Sequence, residues 1–158
     1  MRIGEIVRSK ASQDVVTIGP DAGVRELIAK LAEHNIGALI VSTDGTSVDG
    51  IVSERDVVRH LHHDGTVINN VVRAIMTEVV ETCSPDDDLD EVMQTMTERR
   101  FRHIPVVQDG TLTGIISIGD VVKHKIGQLE FERDQLDGYI HQTGARGTPL
   151  GPTRRVAP

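Results

Sequence analysis

The chain has 158 residues, a formal net charge of −7 at pH 7 and an aromatic content of 2%. This acidic balance argues against nucleic acid as a general partner, and no apolar run approaches the roughly 20 residues that a membrane-spanning helix needs. The single cysteine, Cys83, rules out an intrachain disulfide framework and is typical of a reducing compartment. We therefore expect a cytoplasmic protein without a nucleic-acid or membrane partner, whose core consists of aliphatic residues and methionine.

The first half of the chain alternates strand and helix patterns. Val24, Leu27, Ile28 and Leu31 follow the spacing of one apolar helix face. Strand-like runs lie on both sides of this helix. An Asp-Gly pair, which is typical of β-hairpin turns, follows the second run. The predicted order is a strand within residues 14–18, the helix, a strand over residues 38–41, a turn at residues 44–45, a strand over residues 50–52 and a second helix.

The second half repeats the first. The phrase Gly50-Ile-Val-Ser-Glu-Arg-Asp56 returns 64 residues later as Gly114-Ile-Ile-Ser-Ile-Gly-Asp120, and matching strand and helix patterns precede both copies. Repetition at a fixed period indicates a duplicated structural unit. We therefore predict an α+β fold made of two β-α-β-β-α repeats.

The predicted segments divide the chain into four parts. The first repeat is assigned to residues 1–66 and the second to residues 67–128. An amphipathic C-terminal helix is expected at residues 129–140, and a Gly- and Pro-rich flexible tail at residues 141–158.

Each copy of the phrase joins a strand to a helix through Ser-x-x-Asp, once from Ser53 to Asp56 and once from Ser117 to Asp120. A helix N-terminus presents unpaired backbone N–H groups at the positive end of its dipole, where phosphate or another anion binds. The same spacing also fits a capping box, in which the serine and the acid bond each other's backbone amides. The motif alone leaves both interpretations open: two ligand sites or two helix caps.

The repeat order, the two Gly-x-x-Ser-x-x-Asp motifs and the run Arg102-His-Ile-Pro-Val-Val107 resemble a tandem pair of CBS domains, a Bateman module. The resemblance covers nearly all of the region that we expect to be ordered. It implies two repeats packed about a pseudo-twofold axis, with two clefts that bind adenosine-containing ligands such as AMP, ADP, ATP, NAD or S-adenosylmethionine. It also implies a homodimer shaped like a flat disk.

The two clefts are expected to be unequal. Asp56 and Asp120 are acceptor-only carboxylates suited to the hydroxyls of a ribose, and the adjacent serines can bond ribose or phosphate oxygens. Arg55 could clamp a phosphate, whereas its counterpart in the second motif is Gly119. Positive charge could also come from across the cleft, where Arg102 is followed by a histidine.

The resemblance adds residues on the base and ribose side of each cleft, with Val16, Thr17, Val80 and Thr82 as lining and the backbones of residues 38 and 104 facing the base. The complete set of candidate nucleotide-binding residues is Val16, Thr17, Gly37, Ala38, Ser53, Arg55, Asp56, Val80, Thr82, Arg102, His103, Ile104, Pro105, Ser117 and Asp120.

A competing constellation is His60-Leu-His62-His63-Asp64, because imidazoles and a carboxylate can bind zinc or nickel. It lies where a helix should end, however, and polar or cationic side chains there complement the helix dipole without a metal. We expect no metal site.

We also expect no enzymatic activity. No nucleophile elbow or P-loop spacing occurs, and there is no room for the barrel of about 250 residues that a nucleotide dehydrogenase would need. The favoured function is a regulatory module that binds an adenosine nucleotide, AMP before ATP, ADP or NAD(H). It needs no other cofactor and transmits its state to an unidentified partner protein. One alternative is a constitutive interaction scaffold with vestigial clefts, and another is a redox-linked regulator that prefers NADH.

Overall fold

The computed structural model describes residues 1–10 and 15–143, except for the side chains of residues 140–143. The predicted tail lies outside the described residues from residue 144 onward. The elements of the first half are α1 (Ile3–Ser9), β1 (Thr17–Ile18), α2 (Val24–His34), β2 (Ala38–Val41), β3 (Gly50–Ser53) and α3 (Glu54–His63). Two short 3₁₀ helices follow, Gly65–Asn69 and Val72–Ala74. The second half contains α4 (Leu89–Arg99), β4 (His103–Gln108), β5 (Thr111–Ser117) and α5 (Ile118–Thr143).

The predicted α+β class is confirmed, and the two halves share one pattern of strand pairing. In the first half, β1 runs parallel to β2, with Ile18 opposite Val41, and β2 pairs with β3 in antiparallel fashion. In the second half, β4 and β5 form an antiparallel hairpin, and Cys83 forms an isolated parallel bridge with Val106. This bridge occupies the position of the β1–β2 pair, so the repeat seen in the sequence is also a repeat in space.

The helices α2 and α4 also correspond. Each has its buried apolar residues on one face, as the spacing predicts. Each ends at a residue in the left-handed conformation, Asn35 with φ of 51° and Arg100 with φ of 59°. Such an end reverses the chain and brings it directly into the following strand.

The leading segment of each repeat, which is the stretch before its first strand, packs against the other repeat. The amides of Ile3 and Gly4 donate to the carbonyls of residues 87 and 85, each at 2.9 Å, ahead of α4. The amides of Val72 and Arg73 donate in the same way to the carbonyls of residues 22 and 20, each at 2.8 Å, ahead of α2. The segment that precedes each repeat therefore docks on the other repeat.

The hydrophobic core follows this exchange. Ile3 and Ile6 are fully buried among the apolar residues of the second repeat. Val67, Val72 and Ile75 are buried among those of the first repeat. The boundary predicted between residues 66 and 67 follows the sequence repeat, and the packing of the core crosses it.

At the glycine that begins each motif, another part of the chain packs directly against the backbone. A Cβ on Gly50 would lie 2.7 Å from the carbonyl oxygen of Thr77, and a Cβ on Gly114 would lie 2.9 Å from Cγ1 of Val7. Real Cβ atoms do not approach other atoms so closely. The repeated glycines therefore allow each leading segment to pass over its strand.

By compactness the chain divides into one unit, Met1–Val121, and a second unit, Val122–Pro158. Within the described part of the second unit, α5 exposes the apolar residues Val122, Ile126, Leu129 and Leu136, which are spaced along one face. Among the described residues, no helix is both long enough and apolar enough to cross a membrane.

Candidate functional site: a cleft between the two repeats

A cleft of about 240 Å³ lies between the repeats, within the unit that ends at Val121. Small-molecule sites usually have roughly 300–1,000 Å³, so the volume suits a small ligand that stays partly exposed. Four segments surround the cleft: the start of β2, the first turns of α3, the segment before Cys83, and the approach to β4. Its lining residues are Gly37, Ala38, Ile51, Ser53, Glu54, Arg55, Asp56, Arg59, Thr77, Val79, Val80, Glu81, Arg100, Phe101, Arg102 and His103.

The segment of residues 78–82 crosses from one sheet to the other along this cleft. At its beginning, Thr77 exchanges backbone hydrogen bonds with Ile51 of β3 at 2.9 and 3.0 Å. At its end, Cys83 donates to the carbonyl of Pro105 and accepts from the amide of Val107, at 3.0 and 2.8 Å. The sequence predicts a strand here, but only Cys83 pairs with β4, because the preceding residues span the gap between the sheets.

Asp56 and Ser53 form the first motif at the N-terminus of α3. Asp56 Oδ2 accepts from the Ser53 amide at 2.8 Å and from the Ser53 hydroxyl at 3.0 Å, and the Asp56 amide donates back to the hydroxyl at 3.3 Å. The capping box considered from the sequence is therefore present. It uses Oδ2 alone, and within the described residues Oδ1 of Asp56 accepts no hydrogen bond.

Arginine side chains dominate the charge of the cleft. Arg55 and Arg59 come from α3, and Arg100 and Arg102 come from the approach to β4. The opposing acids are Glu54, Asp56 and Glu81, and Glu81 is already paired with Arg99 at 2.8 Å. In a chain of net charge −7, this concentration of guanidinium groups favours an anionic ligand.

His103 lies half-buried at the start of β4 and faces the cleft. Burial lowers the pKa of His103, and the nearby Lys10 and Arg102 lower it further, although Asp120 and Glu54 oppose them. The imidazole is therefore neutral at pH 7 and can donate or accept a hydrogen bond. His103 also lies close to Gly37, where a Cβ would be 3.8 Å from the imidazole Cε1.

The structure brings eight of the candidate residues to this cleft: Gly37, Ala38, Ser53, Arg55, Asp56, Val80, Arg102 and His103. Thr82 and Ile104 line a separate cavity of about 180 Å³ together with Cys83. The cysteine is buried, and burial, with Asp87 nearby, raises the pKa of its thiol to about 12, so it packs as a small apolar residue.

Five candidate residues line neither cavity: Val16, Thr17, Pro105, Ser117 and Asp120. Ser117 and Asp120 cap α5 as the first motif caps α3, with the Ser117 amide 2.9 Å from Asp120 Oδ2. Unlike Asp56, Asp120 is paired with a cation, Lys10, at 2.9 Å. A binding role for these five residues stays a prediction.

Sequence reasoning missed several lining residues. Arg59 follows Arg55 by one helical turn, so the spacing of four residues on a helix could have revealed it. Arg100 and Phe101 stand directly before the predicted strand of Arg102, and their place in the cleft depends on the left-handed turn at Arg100. Thr77, Val79 and Glu81 line the cleft because their segment crosses between sheets, which no local pattern signals.

The histidine cluster at the end of α3 shows no ligand geometry. His60 Nδ1 lies 2.8 Å from the carbonyl of Asp56, and the rings of His62 and His63 pack edge to face at 5.3 Å. In the part of the chain that the structure describes, no group of three or more His, Cys, Asp or Glu side chains is placed to hold a metal ion.

Comparison with known proteins gives consistent matches. The family model described as "CBS domain" matches residues 3–63 and residues 72–127. The chain is 34% identical over 146 residues to the "CBS domain-containing protein CBSX3, mitochondrial" of Arabidopsis thaliana, a match that covers 87% of this chain and 71% of that protein. Two other curated relatives are longer, and the chain spans 51% and 33% of their lengths.

Two solved structures illustrate the likeness of fold. The CBS-domain containing protein ATU1752 from Agrobacterium tumefaciens is 40% identical with a TM-score of 0.75, over 79% of this chain and 99% of that one. CBSX2, solved in complex with AMP, is 24% identical with a TM-score of 0.68, over 82% of this chain and 98% of that one. At that identity the second comparison shows the fold alone.

Proposed function

Because the chain belongs to the CBS-domain family, with two copies that together span most of its length, we propose that it is a regulatory module that binds an adenosine-containing nucleotide. AMP is the favoured ligand, with ATP, ADP and NAD(H) as the other members of the same class. A binding role without catalysis fits the cleft, because its lining consists of a neutral histidine and of arginine side chains that can bind a phosphate.

One observation carries this proposal: only one oxygen of the Asp56 carboxylate takes part in the helix cap, and several guanidinium groups line the same cleft. Oδ2 of Asp56 caps α3, and its other oxygen is available for ribose hydroxyls, which are donors. Arg55 and Arg102 approach the same cleft from opposite repeats and can neutralise a phosphate. The small residues Gly37 and Ala38 leave space for a flat base.

CBSX2, which shares the fold, was solved in complex with AMP, so this fold can hold a ligand of the proposed class. In this chain, a nucleotide in the cleft would touch residues of both repeats, including Arg55 from one and Arg102 from the other. A ligand that binds one arrangement of the repeats more tightly than another shifts the population toward it. We propose that this shift changes a surface read by a partner protein.

We further propose that the protein forms a homodimer in the cytoplasm. The exposed apolar face of α5, which includes Ile126, Leu129 and Leu136, supports an association with a second copy. Light scattering should give the mass of two chains. Glu in place of Ile126 and Leu129 should give the mass of one chain if this face forms the contact.

The test of the ligand class is calorimetric titration of the purified protein with AMP, ADP, ATP, NAD, NADH and S-adenosylmethionine. The protein must first be shown to be free of co-purified nucleotide by its ultraviolet absorbance ratio. We expect micromolar binding of at least one member, with AMP the tightest. A preference for NADH over AMP would instead indicate a redox-linked regulator.

The constitutive scaffold remains the second candidate, because both Ser-x-x-Asp motifs form complete helix caps. Caps need no ligand to explain the residues that form them. Absence of binding across the whole nucleotide panel would favour the scaffold and overturn the nucleotide-binding function.

A further inference from the structure

The two motif carboxylates are held in the same way. The amide of Ser53 donates to Asp56 Oδ2 at 2.8 Å, and the amide of Ser117 donates to Asp120 Oδ2 at 2.9 Å. The return bonds, from each aspartate amide to its serine hydroxyl, measure 3.3 and 3.1 Å. Asp56 Oδ2 also accepts from the Ser53 hydroxyl at 3.0 Å, so in both motifs Oδ2 is the oxygen that forms the cap.

Asp120 contacts a cation that has no counterpart at Asp56. Lys10, directly after α1, places Nζ 2.9 Å from Asp120 Oδ2 and donates to the carbonyl oxygen of Ile115 at 2.7 Å. The side chains of Lys10 and Asp120 are 28% and 24% exposed, so water screens this ion pair only in part. Within residues 1–10 and 15–143, Asp56 forms no ion pair.

Lys10 bonds Oδ2 of Asp120, the oxygen that also caps α5, and its ammonium group neutralises the charge of the carboxylate that a ribose would bind. A carboxylate holds a ribose by accepting hydrogen bonds from its hydroxyls, and Lys10 already donates to Asp120. A ribose at Asp120 would either bind Oδ1 of a carboxylate whose charge Lys10 already neutralises, or displace Lys10 and leave a half-buried ammonium without its counter-ion, which is unfavourable. At Asp56 no such displacement is needed.

Two further features act in the same direction. Arg55 supplies a guanidinium next to Asp56, whereas Gly119 supplies no side chain next to Asp120. Burial by itself would raise the pKa of Asp120, but the hydrogen bonds from Lys10 and Ser117 outweigh it and hold the pKa below the ordinary value. Asp120 therefore stays ionised at neutral pH, and its pair with Lys10 persists.

We propose that Lys10 closes the Asp120 site to nucleotides, so that each chain binds one nucleotide, at Asp56. This inference rests on the proposed nucleotide-binding function and assigns Lys10 as the residue that sets its stoichiometry. Lys10 comes from the leading segment that docks on the second repeat, so a residue far from both motifs in sequence determines which motif is usable.

The test is the number of nucleotides bound per chain, measured by calorimetric titration with AMP, or with ATP if AMP does not bind. We expect one site in the natural sequence and none in Asp56→Asn. Lys10→Met removes the charge and keeps most of the stem, so it should show two sites. Lys10→Arg keeps the charge and should show one.

A combined variant locates the additional site. Lys10→Met with Asp56→Asn should regain one site, and adding Asp120→Asn should remove it. Two sites in the natural sequence, or one site in both the natural sequence and Lys10→Met, would contradict the role of Lys10 and leave the proposed function standing. Loss of all binding in Lys10→Met would overturn the inference, because Lys10 would then hold the ligand.

Two outcomes concern the controls. If no nucleotide binds the natural sequence, the proposed function fails and the role of Lys10 fails with it. If Lys10→Met does not fold, as judged by thermal melting, Asp120→Asn alone decides the matter. That variant should keep one site with unchanged affinity, and a loss of sites or affinity would overturn the inference.

Discussion

The two halves of this protein have the same local structure but different chemistry at the position where the repeated motif ends. Asp56 and Asp120 cap their helices in the same way, yet one faces an arginine-lined cleft and the other is paired with Lys10. The difference teaches that a duplicated motif fixes the backbone and the cap, while the residue before each aspartate, Arg55 or Gly119, and residues outside the motif set the charge around each carboxylate. Substitutions at matching positions measure how far the two halves are equivalent.

The largest expected effect concerns the exchange of leading segments. Ile3 and Ile6 are fully buried in the core of the second repeat, although they begin the chain. Ile3→Ala or Ile6→Ala should each lower the free energy of unfolding by about 2–5 kcal/mol. Chemical denaturation measures this change. Val58→Ala on the 65% exposed Val58 is the matched control and should change stability by less than about 0.5 kcal/mol.

The motif glycines should show a smaller and unequal effect. Gly50→Ala places a methyl group 2.7 Å from a backbone carbonyl oxygen, whereas Gly114→Ala places one 2.9 Å from the side chain of Val7. Both should destabilise the fold by about 1–3 kcal/mol, and Gly50→Ala by more, because backbone yields less readily than a side chain. Equal or negligible losses in the two variants would argue against this close packing.

The charge of the Asp56 cleft predicts a selective loss of affinity. Arg55→Gln should weaken AMP binding about tenfold, or about 1.4 kcal/mol, and leave adenosine binding nearly unchanged, because adenosine has no phosphate. Arg25→Gln is the control, since Arg25 lies on α2 and bonds Asn69 instead of lining the cleft. An equal loss for AMP and adenosine would mean that Arg55 does not contact the phosphate.

The smallest expected effect is a dependence of stability on pH that arises from the titration of His103. Its pKa is lowered in the folded state, so the unfolded state binds the proton more readily as pH falls below about 6.5. Stability should therefore fall between pH 7 and pH 5, and His103→Asn should reduce that fall. Denaturation midpoints at several pH values measure it. Identical profiles for both proteins would exclude a contribution from His103.

Much of the fold was predictable because both halves carry clear periodic patterns. The apolar spacing of Val24 to Leu31 predicted α2. The repeat pattern places a second Asp-Gly pair at Asp109-Gly110, where a tight turn joins β4 to β5 and both residues have positive φ, of 51° and 77°. Helix α1 was missed, although Ile3, Ile6 and Val7 have helical spacing, because seven residues give a weak local signal.

The sequence predicted the motif of the Asp56 cleft and part of its lining, including Arg102 and His103, and it missed the rest of the lining. The sequence indicates Asp56 and Arg55, whose roles follow from the repeated phrase. It does not indicate Glu81, because that residue reaches the cleft only through a segment that crosses between two sheets. Nor does it indicate the contact of Lys10 with Asp120, which joins residues far apart in the chain. Such tertiary contacts depend on the exchange of segments, which local patterns do not encode.

The most direct test of the account is calorimetric titration of AMP into Asp56→Asn and Asp120→Asn side by side. Asparagine keeps an oxygen for each helix cap and removes the negative charge, so the two variants are matched. We expect Asp56→Asn to abolish binding and Asp120→Asn to bind one AMP per chain with the affinity of the natural sequence. Equal loss in both variants, or undiminished binding in Asp56→Asn, would contradict a single nucleotide site at Asp56.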